Sequence, residues 1–387
     1  MATSPSDHPQ DTAQDCAVSP PNAEIRAWLQ VVGSFFLFFN TWGIINSYGV
    51  FQTFYEGDFL EGTAPSTISW VGSLQSFLMM FLGVFLCHNF WQVLLAQAFC
   101  VGIGGGLIFV PSIAILSTYF TTKLPLAVGI AASGSSIGGV IYPILIRRLL
   151  DMIGFGWAIR VAGFVALFGL STSCLVLKIR TLPANRRKLI DWAAFYEPPY
   201  ALFNIGLFLC FMGLYTPFYY IQSVAIENHI TSETLAFYLV PIMNATSTFG
   251  RLAPGYISKW AGSLNILVLC AILSGILVLC IIAIKTQGSL LAICALYGFF
   301  SGSLVSLMGP ILIMLSPHRG VTGTRMGMCF TLLGMALLIG TPIAGAILDA
   351  HGANMVWVYS AVLTLSGGAV LGAARMSLAS QKSSVTN

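Results

Sequence analysis

The chain divides into long apolar stretches, one after another, with little polar sequence between them. Each is close to the roughly 20 residues that an α-helix needs to cross about 30 Å of hydrocarbon. Eleven such runs can be counted: 27–54, 68–87, 91–120, 126–146, 157–177, 200–225, 235–256, 264–284, 290–315, 326–348 and 356–374. With 57% hydrophobic and only 8% charged residues in 387, there is too little charge to solvate a globule of this size. A lipid-facing surface needs none. The expectation is an all-α polytopic membrane protein with 11 spans. Segments with no water around them must satisfy their backbone groups internally, which helices do.

The polar residues set the organisation. Residues 1–25 hold four prolines and the acids Asp7, Asp11, Asp15 and Glu24, with no apolar core that would make a signal peptide. They read as a disordered tail. Lys and Arg accumulate in cytoplasmic loops. Here one alternate set of loops, with the C-terminal tail, holds Lys123, Lys178, Arg180, Arg186, Arg187, Lys188, Arg251, Lys259, Arg319, Arg325, Arg375 and Lys382. The other set holds Arg147, Arg148, Arg160 and Lys285, so the first is expected in the cytoplasm. The segment KIRTLPANRRKLID carries the densest run of bases. It predicts a basic cytoplasmic linker at 179–196 between an N-terminal bundle (26–178) and a C-terminal six-helix bundle (197–375), followed by a tail (376–387).

Several chemistries are excluded by pattern. The net charge of +4 is spread along the chain, so no nucleic acid partner is expected. Eight of nine cysteines lie in apolar runs, where they act as small hydrophobes, and no Cys/His spacing suits a metal. VGIGGG (101–106) lacks the preceding strand and the Gly-Lys-Ser/Thr of a phosphate loop. It reads as close helix packing through small residues, as do Gly134/Gly138 and Gly298/Gly302. No nucleophile, base and orienting group converge, so the chain is not read as an enzyme and needs no cofactor.

The stretches WGIINSYGVFQTFYE, PSTISWVGSLQ, FWQVLLAQ, VGIGGGLIFVPSIAILSTYF, GIAASGSSIGGVIYPILIRRLL, GRLAPG and GTPIAGAILD together resemble the fungal monocarboxylate-porter-like branch of the major facilitator superfamily. The resemblance runs from about Ala27 to Ala374. It implies two six-helix bundles, 12 spans in all, around a cavity opening alternately to each side. The chain departs from this pattern between SFLMMFLGVF and FWQVLLAQ. There, roughly 30 to 35 residues, one helix of about 20 plus a loop, are missing relative to the family. An odd span count also leaves the side of the N-terminal tail open.

Arg251 ends a stripe Asn244, Ser247, Arg251 at i, i+3, i+7, one face of a helix. Polar faces in apolar helices turn toward a cavity or bundle interior; a helix-end anchor is the alternative role for Arg251. The resemblance places a proton-binding Asp of the family at Ser247 and a substrate-binding Lys at Asn46, so both signature charges are absent here. No acid lies within a span. Asn40 with Ser47, then Tyr215, Tyr219 and Gln222, then Tyr297 with Ser301, are further candidates to line a path. Such a path, rich in aromatics and poor in charge, suits a partly apolar solute.

The expectation is a secondary transporter for a small organic solute, monocarboxylate-like or a fungal specialised metabolite, possible efflux included. The missing charges favour the metabolite or a neutral solute. The alternative is a non-transporting sensor or inactive truncated paralogue. A multi-pass monomer is expected, in the plasma membrane or else in a vacuolar or other internal membrane.

Overall fold

A computed structural model describes residues 24–46, 112–113, 115–178, 190–317 and 319–386. The described residues are overwhelmingly helical and contain no strand. The N-terminal part comprises α1 (Ile25–Asn46), a short helical stretch at 115–119 and α2 (Leu124–Val176). Helix α2 is two membrane-length segments joined at Gly154, whose φ of 74° interrupts the helical backbone. Only glycine takes that conformation without a Cβ penalty, so the chain can turn there without a polar loop.

The C-terminal part contains a 3₁₀ turn (Trp192–Tyr196), then α3 (Pro198–Leu214), α4 (Thr216–Glu227), α5 (Glu233–Ala261), α6 (Ser263–Ile281), α7 (Gln287–Met314), α8 (Arg319–His351) and α9 (Ala353–Thr386). Helices α3 and α4 form one span, 198–227, stepped at Tyr215. Local sequence sets the ends. Pro198 and Pro199 start α3, where the missing N–H groups cost nothing. Ser232 and Thr286 cap α5 and α7 by accepting from Leu235 N and Ser289 N. Gly262, at φ 76°, stops α5.

Seven described segments are long and apolar enough to cross a membrane, among them both halves of α2 and all the C-terminal spans except α5. Helix α5 has 29 residues, about 43 Å at 1.5 Å each. Its length suffices, but polar residues dilute it.

Small residues let the helices approach. Positions 134 and 138 of α2 face the carbonyl oxygens of Phe35 and Phe39 on α1, and Gly138 lies against Gly43. In the C-terminal bundle, Gly298 and Gly302 of α7 press on Met243 and Ser247 of α5. A Cβ at any of these would collide with backbone or polar side-chain atoms, so dispersion contacts that lipid could not supply hold the pairs together.

Contacts at the start of α1 show which described segments lie beside it. Gln30, near the start of α1, donates to Val176 O at 3.1 Å and accepts from Lys178 N at 2.8 Å. Trp28 packs edge-on against Phe120, and Tyr119 donates to Lys178 O. The start of α1, Phe120 and the start of the linker therefore share one end of the molecule. The two apolar runs 68–87 and 91–120 lie mostly outside the described residues.

Two boundaries differ from expectation. Helix α9 continues to Thr386, so the segment expected as a tail from 376 is helical. The last third of the linker is docked rather than free. Arg325, grouped by sequence with the loop bases, lies inside α8 at 2% exposure, its Nε 3.0 Å from Asp191 and its Nη1 2.7 Å from Glu197. It also donates to Leu315 O at 3.1 Å, while Tyr200 donates to the Arg325 carbonyl at 2.8 Å. The bulk of the linker, residues 179–189, and most of the N-terminal tail lie outside the described residues.

Candidate functional site

The two bundles meet along α2 and α5, which are in contact over several turns. Near one end Gly255 approaches Leu126, then Gly129 meets the Arg251 backbone, and further along Gly139 meets the Asn244 side chain. At the far end the Arg147 guanidinium lies 4.9 Å over the Phe237 ring. Glycines at 129, 139 and 255 remove the side chains that would hold the helices apart.

Arg251 sits in this seam. It is ten residues from the end of α5 and 3% exposed, which does not fit an anchor at a helix end. The i, i+4 spacing brings its Nε 3.2 Å from Ser247 Oγ on its own helix. Its Nη1 reaches across to the N-terminal bundle, 3.0 Å from Ala132 O and 2.5 Å from Ser135 Oγ. Ser136 Oγ donates to Ser247 Oγ at 3.1 Å. Every one of these partners is a neutral oxygen. A guanidinium taken out of water loses several kcal/mol of hydration, and neutral acceptors return only part of it.

Asn244, Ser247 and Arg251 share a narrow cleft with Tyr215, Phe218, Ser301 and the Gly302 backbone. Its free volume is about 10 Å³, no more than a single water needs. This conformation is therefore closed around Arg251. Above it, Tyr215 stacks on Trp42 of α1 with ring centroids 6.0 Å apart and planes 25° from parallel. Phe218 bridges Tyr215 and Tyr297 at 5.7 and 6.0 Å.

The other sequence candidates lie elsewhere. Asn40 is occupied within the N-terminal bundle, accepting from Tyr142 OH at 2.7 Å and donating to Phe36 O at 2.8 Å, and it does not line the cleft. The Tyr297 hydroxyl is committed to Leu214 O at 2.6 Å, satisfying a carbonyl freed at the step between α3 and α4. Tyr219 is buried and Gln222 half-buried on α4, neither lining the cleft. Asn46 is the last residue of α1, and Ser47 lies outside the described residues. Sequence reading missed Ser135, Ser136 and Trp42. Three hydroxyls at Ser133, Ser135 and Ser136 within one apolar run were the available signal. It missed Arg325 because a base beside a loop looks the same whether or not acids from another segment reach it.

Among known proteins, the family model described as Major Facilitator Superfamily matches residues 65–309. The MFS-type transporter dbaD of Emericella nidulans is 42% identical over 382 aligned positions, covering 90% of this chain and 86% of that protein. The agnestins efflux protein AgnL12 of Paecilomyces divaricatus is 36% identical, with 93% and 90% covered. The 382 positions include only about 348 residues of this chain, 90% of 387, so about 34 positions of the relative have no counterpart here. The crystal structure of the human organic anion transporter MFSD10 superposes with a TM-score of 0.65 at 15% identity, covering 89% of this chain and 98% of that one, a likeness of fold. With a family model across more than half its length and relatives this similar, the chain belongs to the Major Facilitator Superfamily, whose members here are transporters and not enzymes.

Proposed function

We propose that this protein exports a small acidic organic solute, a fungal specialised metabolite, by alternating access, with Arg251 receiving the acidic group. The observation that carries the reading is the buried Arg251 guanidinium, whose bonds among the described residues all go to neutral oxygens. A carboxylate or acidic phenol entering the seam supplies a counter-ion that no described residue provides. It also competes for the Nη1 bonds to Ala132 and Ser135 that tie the bundles together. Binding and opening are thus linked through one side chain. The relatives named as efflux proteins for agnestins and aspyridones support export. The end of the molecule that carries the linker, Lys123, Lys259 and Arg325 is assigned to the cytoplasm on its bases, in a plasma or internal membrane. The resemblance to the monocarboxylate-porter-like branch is consistent with an acidic solute. Ser247 and Asn46, at the family's charged positions, leave Arg251 as the charge of the cleft.

The test is export of 1-hydroxy-2-naphthoate from yeast expressing the chain, compared with its methyl ester. Export of the acid and not of the ester, lost in Arg251→Ala at equal surface expression, is the expected result. Equal export of both, insensitive to Arg251, overturns the acidic-solute reading.

A second reading, an inactive truncated paralogue, is favoured by one observation. About 34 positions of dbaD have no counterpart in this chain. Absence of flux that returns when a third helix is inserted would establish it.

A further inference from the structure

A second cavity lies between the bundles at the basic end. It is about 360 Å³, within the range of small-molecule sites and far larger than the Arg251 cleft. One wall comes from the N-terminal bundle, with Phe120, Thr121 and Leu124. The facing wall comes from the C-terminal bundle, with Ser263, Pro310 and Ile313. Among the described residues that line it none is charged, and Thr121, at its rim, is exposed.

Its position relative to Arg251 follows from the helices it shares with the cleft. On α7, Val305 lines the cleft and Pro310 lines the cavity, five residues or about 7.5 Å along the axis. On α2, Ala132 meets Arg251 and Leu124 lines the cavity, in the same direction. Between the two levels, Gly309 of α7 faces the Ile113 side chain. A Cβ at Gly309 would lie 3.2 Å from Ile113 Cγ2, and Ile113 is 2% exposed. An apolar contact thus separates an open, uncharged cavity from a closed, charged cleft lying in line with it. Pro310, in the cavity wall, has no N–H and so leaves the Ser306 carbonyl without its helical donor, a place where α7 bends readily.

We propose that this cavity is a loading site for the apolar skeleton of the solute, chiefly an aromatic or polycyclic one with few charges. It fills from the cytoplasmic side before the acidic group passes Ile113 and Gly309 to reach Arg251. Its direction of filling rests on the export reading; binding in the cavity does not. The division of labour gives selectivity in two stages: shape and apolar area are read first, charge second. A small acid without a skeleton has nothing to hold it in the first stage.

The experiment uses Thr121→Cys and, separately, Ser263→Cys, in inside-out vesicles, labelled with a charged membrane-impermeant maleimide. The parent chain serves to subtract its own cysteines. 1-Hydroxy-2-naphthoate is expected to slow labelling at both positions by about threefold or more, and acetate at the same concentration is expected to have no effect. Protection should persist when Arg251→Ala is added, although export is lost. Ile313→Trp, which fills the cavity, should abolish protection and lower export about tenfold, and Ile313→Leu should do neither. Absence of protection at both positions in vesicles that transport the naphthoate overturns the loading site, as does protection that disappears with Arg251→Ala. Protection without any wild-type export retains the site and removes the export reading. Absence of both removes the two together.

Discussion

Arg251 Nη1 on α5 stands 3.0 Å from the carbonyl oxygen of Ala132 on α2, so a cation of one bundle is held by the backbone of the other. The contact is buried and includes Ser135, and among the described residues no acid takes part. It ties the closure of the two bundles to the state of one guanidinium. Under the proposed function, a solute anion at that guanidinium would exchange the bonds to Ala132 and Ser135. A side chain that both binds cargo and closes the seam is a direct way to couple occupancy to conformation.

Arg251→Lys preserves the charge and removes the planar fork that serves Ser247, Ala132 and Ser135 at once. Export of 1-hydroxy-2-naphthoate at matched surface expression should fall about tenfold in Arg251→Lys and further in Arg251→Ala. Unchanged export in the lysine variant would take Arg251 out of the site.

Arg325→Ala leaves Asp191 and Glu197 beside a cavity in α8 and frees the docked end of the linker. Glu197 keeps substantial solvent contact, its side chain 43% exposed, so the loss is expected at about 1–3 kcal/mol rather than at the level of a fully buried pair. A thermal-shift measurement in detergent should show the midpoint several degrees lower. Arg325→Lys should recover part of it, through charge without the bidentate grip on Glu197. A midpoint identical to wild type in Arg325→Ala would mean that the clamp contributes nothing to stability.

The Gln30 bonds to Val176 and Lys178 put the start of α1 and Lys178 at one end of the molecule. In intact cells, native Cys16 and an Asn185→Cys substitution should both resist a membrane-impermeant thiol reagent, and both should react after permeabilisation. Labelling of one but not the other from outside would contradict the shared end of α1 and the linker.

The roughly 34 positions of dbaD without a counterpart here point to coding sequence that this chain lacks. Long-read sequencing of the message should reveal about 100 nucleotides between the codons of Met79 and Trp91, the length of the roughly 34 unmatched positions. Messages that all join these codons directly would make the shortened chain the natural one.

Much of this architecture is written in the order of the residues. A bilayer permits few solutions, so apolar length alone identifies helices, and a three-to-four residue spacing puts Asn244, Ser247 and Arg251 on one face whatever surrounds them. The glycines at 134, 138, 298 and 302 mark close approach because lipid competes equally for every larger apolar side chain. What the spacing of residues could not supply was the partner of each polar group. Asn40 and Tyr297 look like lining residues in sequence, yet Tyr142 and the Leu214 carbonyl, 102 and 83 positions away, engage their polar groups. Arg325 looks like a loop base until Asp191 and Glu197, more than 120 residues earlier, arrive beside it. Arg251 shows both halves: its helical face is a local property of α5. Its burial against Ala132 and Ser135 depends on where a second bundle packs, and hydrogen bonds and desolvation are decided by neighbours in space.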